Sequence, residues 1–121
     1  MSNVILVVED SPSIRMLFRE VLATQGYVVE TAEDGVDGLK RLGEVRPDVL
    51  ITDLNMPRMD GIALIEAVRA QPEHRSLPIL VLSTESSDDK KSRARQAGAT
   101  DCLTKPVSSE TLGAAVCRVC P

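Results

Sequence analysis

The chain has 121 residues, 43% of them hydrophobic, with 14 Lys+Arg against 18 Asp+Glu and a formal net charge of -4. That length fits one domain whose core needs no disulfide or metal staple. The acidic balance argues against an electrostatic nucleic-acid binder, and Phe18 and Tyr27, the only aromatics, provide no stacking platform for bases or a flavin ring. The longest apolar run, Val4 to Val8, is too short to span a bilayer. The first residues do not resemble a secretory signal, since acidic residues arrive at position 9, and none is expected. Cys102, Cys117 and Cys120 are therefore expected as reduced thiols in a cytoplasmic protein.

In chain order, Val4-Ile5-Leu6-Val7-Val8 is the first of three short apolar runs, followed by Val49-Leu50-Ile51 and Ile79-Leu80-Val81-Leu82. Such runs suit strands buried on both faces of a parallel sheet. After the first run, Ile14, Leu17, Phe18, Val21 and Leu22 form one apolar helical face, with Gly26 placed to end it. Tyr27 to Ala32 is only partly apolar and Asp101-Cys102-Leu103 is very short, which assigns both to sheet edges. Leu64, Ile65 and Val68 mark a further helix, as do Leu112, Val116 and Val119. The segment from Asp88 to Ala97 offers only Ala94 and Ala97 as apolar residues beside Lys90, Lys91, Arg93 and Arg95. It reads as a solvated helix that buries little, with a movable partner-binding surface as the sharper alternative. The result is an α/β chain of five β–α units. With strands 1, 3 and 4 central and right-handed crossovers, the expected order is 2-1-3-4-5, that of the flavodoxin-like doubly wound sheets.

In such sheets ligands bind beyond the carboxyl ends of the strands, where strand order reverses. Strand 1 runs into Glu9-Asp10, strand 3 into Asp53, strand 4 into Ser83-Thr84 and strand 5 into Lys105-Pro106. Neighbouring strands lie about 4.8 Å apart, so these groups converge on one crevice. Three crowded carboxylates repel one another, and Mg²⁺ relieves that repulsion while retaining waters or phosphate oxygens. Mn²⁺ is an alternative occupant. Asp53 can act as a nucleophile that forms an acyl phosphate. Lys105 would place a positive charge on one phosphoryl oxygen and Ser83 a hydrogen bond on another. Taken singly, each residue has a plainer reading: a helix cap for Glu9 or Asp10, a turn for Asp53 or Lys105-Pro106, a strand-end hydroxyl for Ser83. Together those readings require five coincidences at one sheet edge.

With Asp53-Leu54-Asn55-Met56-Pro57, Asp60-Gly61, Val81-Leu82-Ser83, Ala97-Gly98-Ala99 and Lys105-Pro106 in view, the whole chain resembles the response-regulator receiver domains, and among them the single-domain chemotaxis regulators. The resemblance implies phosphorylation of Asp53 by a histidine kinase or phosphotransfer domain. It implies Mg²⁺ held by Glu9, Asp10, Asp53 and the backbone carbonyl of Asn55, a cis Lys105–Pro106 bond, and dephosphorylation tuned by Asn55 and Glu85. It further implies a switch that works through Ser83 and strand 5 to control an output partner, the flagellar motor switch being expected. Cys102 departs from the Tyr, Phe or His usual on strand 5, and Thr84 replaces a residue that is often smaller. No nucleic-acid or membrane partner, no turnover of an external substrate and a monomer are expected, with residues 1–121 forming one receiver and no output domain.

Two competitors use the same residues differently. A receiver that drains or relays phosphate, or one belonging to a larger regulator, would carry the same motifs. A haloacid-dehalogenase-type phosphatase would need a second acid two residues after the nucleophile, where this chain has Asn55, and a nucleophile on the first strand. Cys117 and Cys120 form a C-x-x-C with His74 as the only histidine, too few ligands for a zinc site, so they read as residues packing the last helix.

Overall fold

The computed structural model describes residues 3–54, 56, 58–83, 88–105 and 107–120. Strands β1 (Val4–Val8), β2 (Val28–Ala32), β3 (Val49–Asp53), β4 (Ile79–Ser83) and β5 (Asp101–Thr104) alternate with helices α1 (Pro12–Thr24), α2 (Gly35–Val45), α3 (Gly61–Arg69), α4 (Asp88–Ala97) and α5 (Ser109–Val119). One 3₁₀ turn, Pro72–His74, precedes β4. The strands are parallel, in the order β2-β1-β3-β4-β5, as the edge argument expects. β3 and β4 are buried along their whole length, while β5 reaches only partial burial.

Alternation along each strand divides the core into two layers. Ile5, Val7, Ile51, Leu80 and Leu82 face Phe18 and Leu22 of α1 and Leu112 and Val116 of α5. Leu6, Val8, Leu50, Ile79 and Val81 face Leu42 of α2, Leu64, Ile65 and Val68 of α3 and Ala94 of α4. Fully burying one such side chain stabilises by about 1.5–3 kcal/mol, so these two layers dominate the fold.

The helices can be set beside the sequence reading one by one. On α1, Phe18 and Leu22 are buried, but Leu17 is 51% exposed beside Met16 at 64%. Successive helical residues turn by about 100°, so a face centred on Phe18 carries Leu17 to its margin. α2 carries Val36, Leu39, Leu42 and Val45 at spacings of three, among Gly35, Gly38 and Gly43. It forms on an Asp34 cap, and Gly38 lets it settle on Val8. α4 spans Asp88–Ala97 as read, with Ala94 its buried apolar contact. Its C-terminal end is tied to α3 by Arg69, which donates to the Gly98 carbonyl from Nε (3.0 Å) and Nη2 (2.8 Å). Nη1 of the same guanidinium reaches the His74 carbonyl at 2.7 Å.

Candidate functional site

The site begins with the way β1 ends. Glu9 extends the ladder by donating its N–H to the Ala32 carbonyl at 3.1 Å, and its own carbonyl accepts from Arg15 Nη1 at 2.6 Å. Ser11, with Pro12 behind it, takes the cap of α1 by accepting from the Ile14 N–H. Neither Glu9 nor Asp10 is spent as a helix cap. β3 ends in register with β4, Asp53 beside Leu82, and β4 with β5, Ser83 beside Thr104. The Lys105 N–H donates to the Ser83 carbonyl at 2.8 Å. Parallel register thus brings Glu9, Asp10, Asp53, Ser83 and Lys105 to one end of the sheet.

One carboxylate oxygen from each of Glu9, Asp10 and Asp53 lies within 4.8 Å of the other two. Glu9, Asp53 and Ser83 are buried and Asp10 is exposed at the mouth. Lys105 reaches in from just beyond the end of β5, its Nζ 2.5 Å from Glu9 Oε1 and 3.1 Å from Asp53 Oδ2. Burial first, then the neighbouring Asp10, raises the Glu9 carboxyl to about 7, against the opposing pull of Lys105. Burial alone would lower the Lys105 ammonium, but its hydrogen bond to Glu9 and the Asp53 charge more than offset this and leave it raised. Among the described residues, Glu9 Oε2 is buried with no hydrogen-bond partner. An orphaned carboxylate oxygen among three crowded acids fits a hard divalent cation, which takes oxygen ligands and tolerates one open, hydrated side.

The remaining predicted residues separate. Asn55, Glu85, Thr84 and Pro106, with the Lys105–Pro106 bond, lie outside the described residues. Cys102 is partly buried on β5, its Sγ 3.9 Å from the Lys91 carbonyl and its thiol pushed up by burial. Cys117 is exposed on α5, and Cys120 accepts from Asn3 Nδ2 at 3.0 Å. All three thiols are free. Among the described residues, the acidic trio is the group of three that suits a metal, and no such group includes His74 or a cysteine. A surface cavity of about 470 Å³ lies at the opposite, amino-terminal end of the strands, near Arg46, Asp48, His74 and Pro78, remote from this chemistry.

Sequence reading missed three residues that shape the site. Asp34 is buried, caps α2 through the Asp37 N–H at 2.8 Å, and accepts from Arg58 Nε at 2.7 Å and from Arg58 Nη2. The Asp37 N–H, and then Arg58, hold its carboxyl below the usual range. Arg58 sits in the left-handed region at φ 66°. Gly61 packs so tightly on the Asp53 carbonyl that a Cβ there would overlap it. The Asp60-Gly61 pair was visible in sequence, but Asp60 caps α3 through the Ala63 N–H, a role that hides its neighbour's. No local signal marks Arg58.

Comparison with known proteins agrees with this geometry. The family model described as response regulator receiver domain matches residues 5–117. The structure of chemotaxis protein CheY4 of Vibrio cholerae superposes with a TM-score of 0.95 at 43% identity, covering 98% of this chain and 99% of that one. Response regulator MprA of Mycobacterium ulcerans is 41% identical over 112 residues, 93% of this chain and 47% of that protein. Hybrid signal transduction histidine kinase D of Dictyostelium discoideum is 37% identical over 113 residues, 93% of this chain but 7% of that protein. The chain thus spans about half the length of MprA and a small part of the hybrid kinase. With its strand order, its acidic cluster and a family match over nearly all its length, the chain belongs to the response regulator receiver domains of two-component signalling.

Proposed function

We propose that Asp53 accepts a phosphoryl group from a histidine kinase or phosphotransfer domain. An oxygen of Asp53 forms the new bond to phosphorus as the donor's P–N bond breaks, and the electron pair leaves with the imidazole nitrogen. Glu9, Asp10, Asp53 and the backbone carbonyl of Asn55 would hold Mg²⁺, or Mn²⁺ in its place, which supplies charge neutralisation for the phosphoryl oxygens. Lys105 and Ser83 receive the other phosphoryl oxygens, so that catalysis is positioning plus electrostatics. Asn55 and Glu85 tune hydrolysis of the acyl phosphate. The observation that carries this reading is the Lys105 ammonium spanning Glu9 and Asp53 beside the orphaned Glu9 oxygen.

Phosphorylation adds about -1.5 to -2 charges, drawing Lys105 and Ser83 inward and biasing the face formed by α4, β5 and α5. Cys102 lies on that face in place of the usual aromatic. Similarity to a chemotaxis protein along its full length favours an output partner in chemotaxis, the flagellar motor switch. The shorter coverage of MprA and the hybrid kinase favours a second reading, the receiver of a larger regulator or a relay that passes phosphate on.

The test is intact mass after incubation with a small acyl phosphate, with and without Mg²⁺, for wild type and Asp53→Asn. Addition of one phosphoryl group that requires both Mg²⁺ and Asp53 is expected. Uptake by Asp53→Asn equal to wild type overturns the assignment. Binding to an isolated motor-switch protein that is unchanged by phosphorylation overturns the chemotaxis output and favours the second reading.

A further inference from the structure

Two described residues that follow Asp53, namely Arg58 and Gly61, are each gripped. The Gly61 N–H donates to the Leu54 carbonyl at 2.8 Å, and Gly61 lies against the Asp53 carbonyl with no room for a side chain. A displacement of Gly61 is therefore passed to Asp53. Arg58 holds a left-handed conformation that residues with a Cβ rarely adopt. Among the described residues, the other non-glycine residue in that region, Arg46, terminates α2, where such a conformation is routine. Arg58 closes no helix, so its conformation needs another cause.

That cause lies across the cleft. Arg58 Nε and Nη2 both rest on Oδ2 of buried Asp34, whose Oδ1 is occupied by the Asp37 N–H, and Glu33 Oε1 stands 4.0 Å from the same guanidinium. Beside this clasp, Met59 packs on Gly35, where a Cβ would come 2.7 Å from the Met59 carbonyl oxygen. Asp34 follows Ala32 by two residues, and the Ala32 carbonyl holds the Glu9 N–H. One end of the clasp therefore connects to Glu9 and the other to Asp53.

Resting on the phosphoacceptor reading, we infer that Arg58 is a positioning residue: through Asp34 it fixes the stretch from Arg58 to Gly61, which packs on the Asp53 carbonyl, and so sets the Glu9–Asp53 separation that a divalent cation requires. Arg58 touches none of the reacting atoms. Residues that orient ligands in this way commonly change metal affinity by about tenfold or more when removed.

Three substitutions separate positioning from mere structural support. Arg58→Ala removes the clasp and retains the backbone strain. Arg58→Gly removes both, and Arg58→Lys keeps a charge. Each is titrated with MgCl₂ by calorimetry, melted thermally, and phosphorylated with acetyl phosphate over a range of MgCl₂. For both Arg58→Ala and Arg58→Gly the expected result is Mg²⁺ binding weakened about tenfold, with phosphorylation restored by a matching increase in MgCl₂. Arg58→Lys recovers part of the affinity. Arg58→Gly melts no lower than Arg58→Ala, which decouples affinity from stability. Mg²⁺ affinity within about twofold of wild type in the glycine variant, with wild type phosphorylated normally, overturns the clasp and leaves the phosphoacceptor reading intact. Wild type that takes up no phosphoryl group overturns both.

Discussion

The Lys105 ammonium rests 2.5 Å from the Glu9 carboxylate although the two residues are 96 positions apart in the chain. The same ammonium lies 3.1 Å from Asp53, so one positive charge is shared between two buried acids. Replacing it with Met leaves those acids without their cation. Lys105→Met is expected to lose about 1–3 kcal/mol of stability at pH 8, as for a buried partner left unsatisfied. The loss should shrink near pH 5, where Glu9 takes up a proton. Urea unfolding at the two pH values measures the difference; equal losses would show that the pair is not what couples them.

Glu9 makes the stability of the metal-free protein depend on pH in an unusual direction. Its carboxyl is raised from 4.5 to about 7 in the fold, so between those values the native state binds more protons than the unfolded chain. The favourable contribution is complete below about 4.5 and is lost as pH rises through 7. Glu9→Gln should flatten this slope. Because a cation needs the deprotonated acid, Mg²⁺ binding should tighten as pH climbs toward 7 and level off above it. Urea midpoints from pH 4.5 to 8, with and without MgCl₂, check both statements.

Gly61 couples packing to chemistry. A methyl group there would overlap the Asp53 carbonyl, and overpacking of this kind costs about 1–3 kcal/mol. Gly61→Ala should therefore lower the unfolding midpoint and also weaken Mg²⁺ binding, because the strain is relieved by moving Asp53. A variant that loses stability but binds Mg²⁺ like wild type would show that the strain is absorbed by α3 instead.

On α1 the burial difference between adjacent residues predicts opposite behaviour. Leu17→Ser, at a half-exposed position, should stay within about 0.5 kcal/mol of wild type. Phe18→Ala, at a position 4% exposed, should lose about 3–5 kcal/mol. Chemical denaturation of the two variants decides the matter.

The sequence by itself determined the strand order and the end of the sheet where the polar residues gather. Strands buried on both faces must read as unbroken apolar runs, as Val4–Val8 and Ile79–Leu82 do, and edge strands need not. The residue that follows such a run has to sit at the sheet's rim, which is why Glu9, Asp53 and Ser83 could be placed without coordinates. Only the tertiary structure decided that Leu17 faces solvent, that glycine-rich α2 forms against Val8, that Lys105 bridges Glu9 and Asp53, and that Arg58 is clasped by Asp34. Polarity pattern is a local property of the chain. Burial depth, ion pairing and a shifted titration depend on which distant segments come within a few ångströms, and folding alone brings them there.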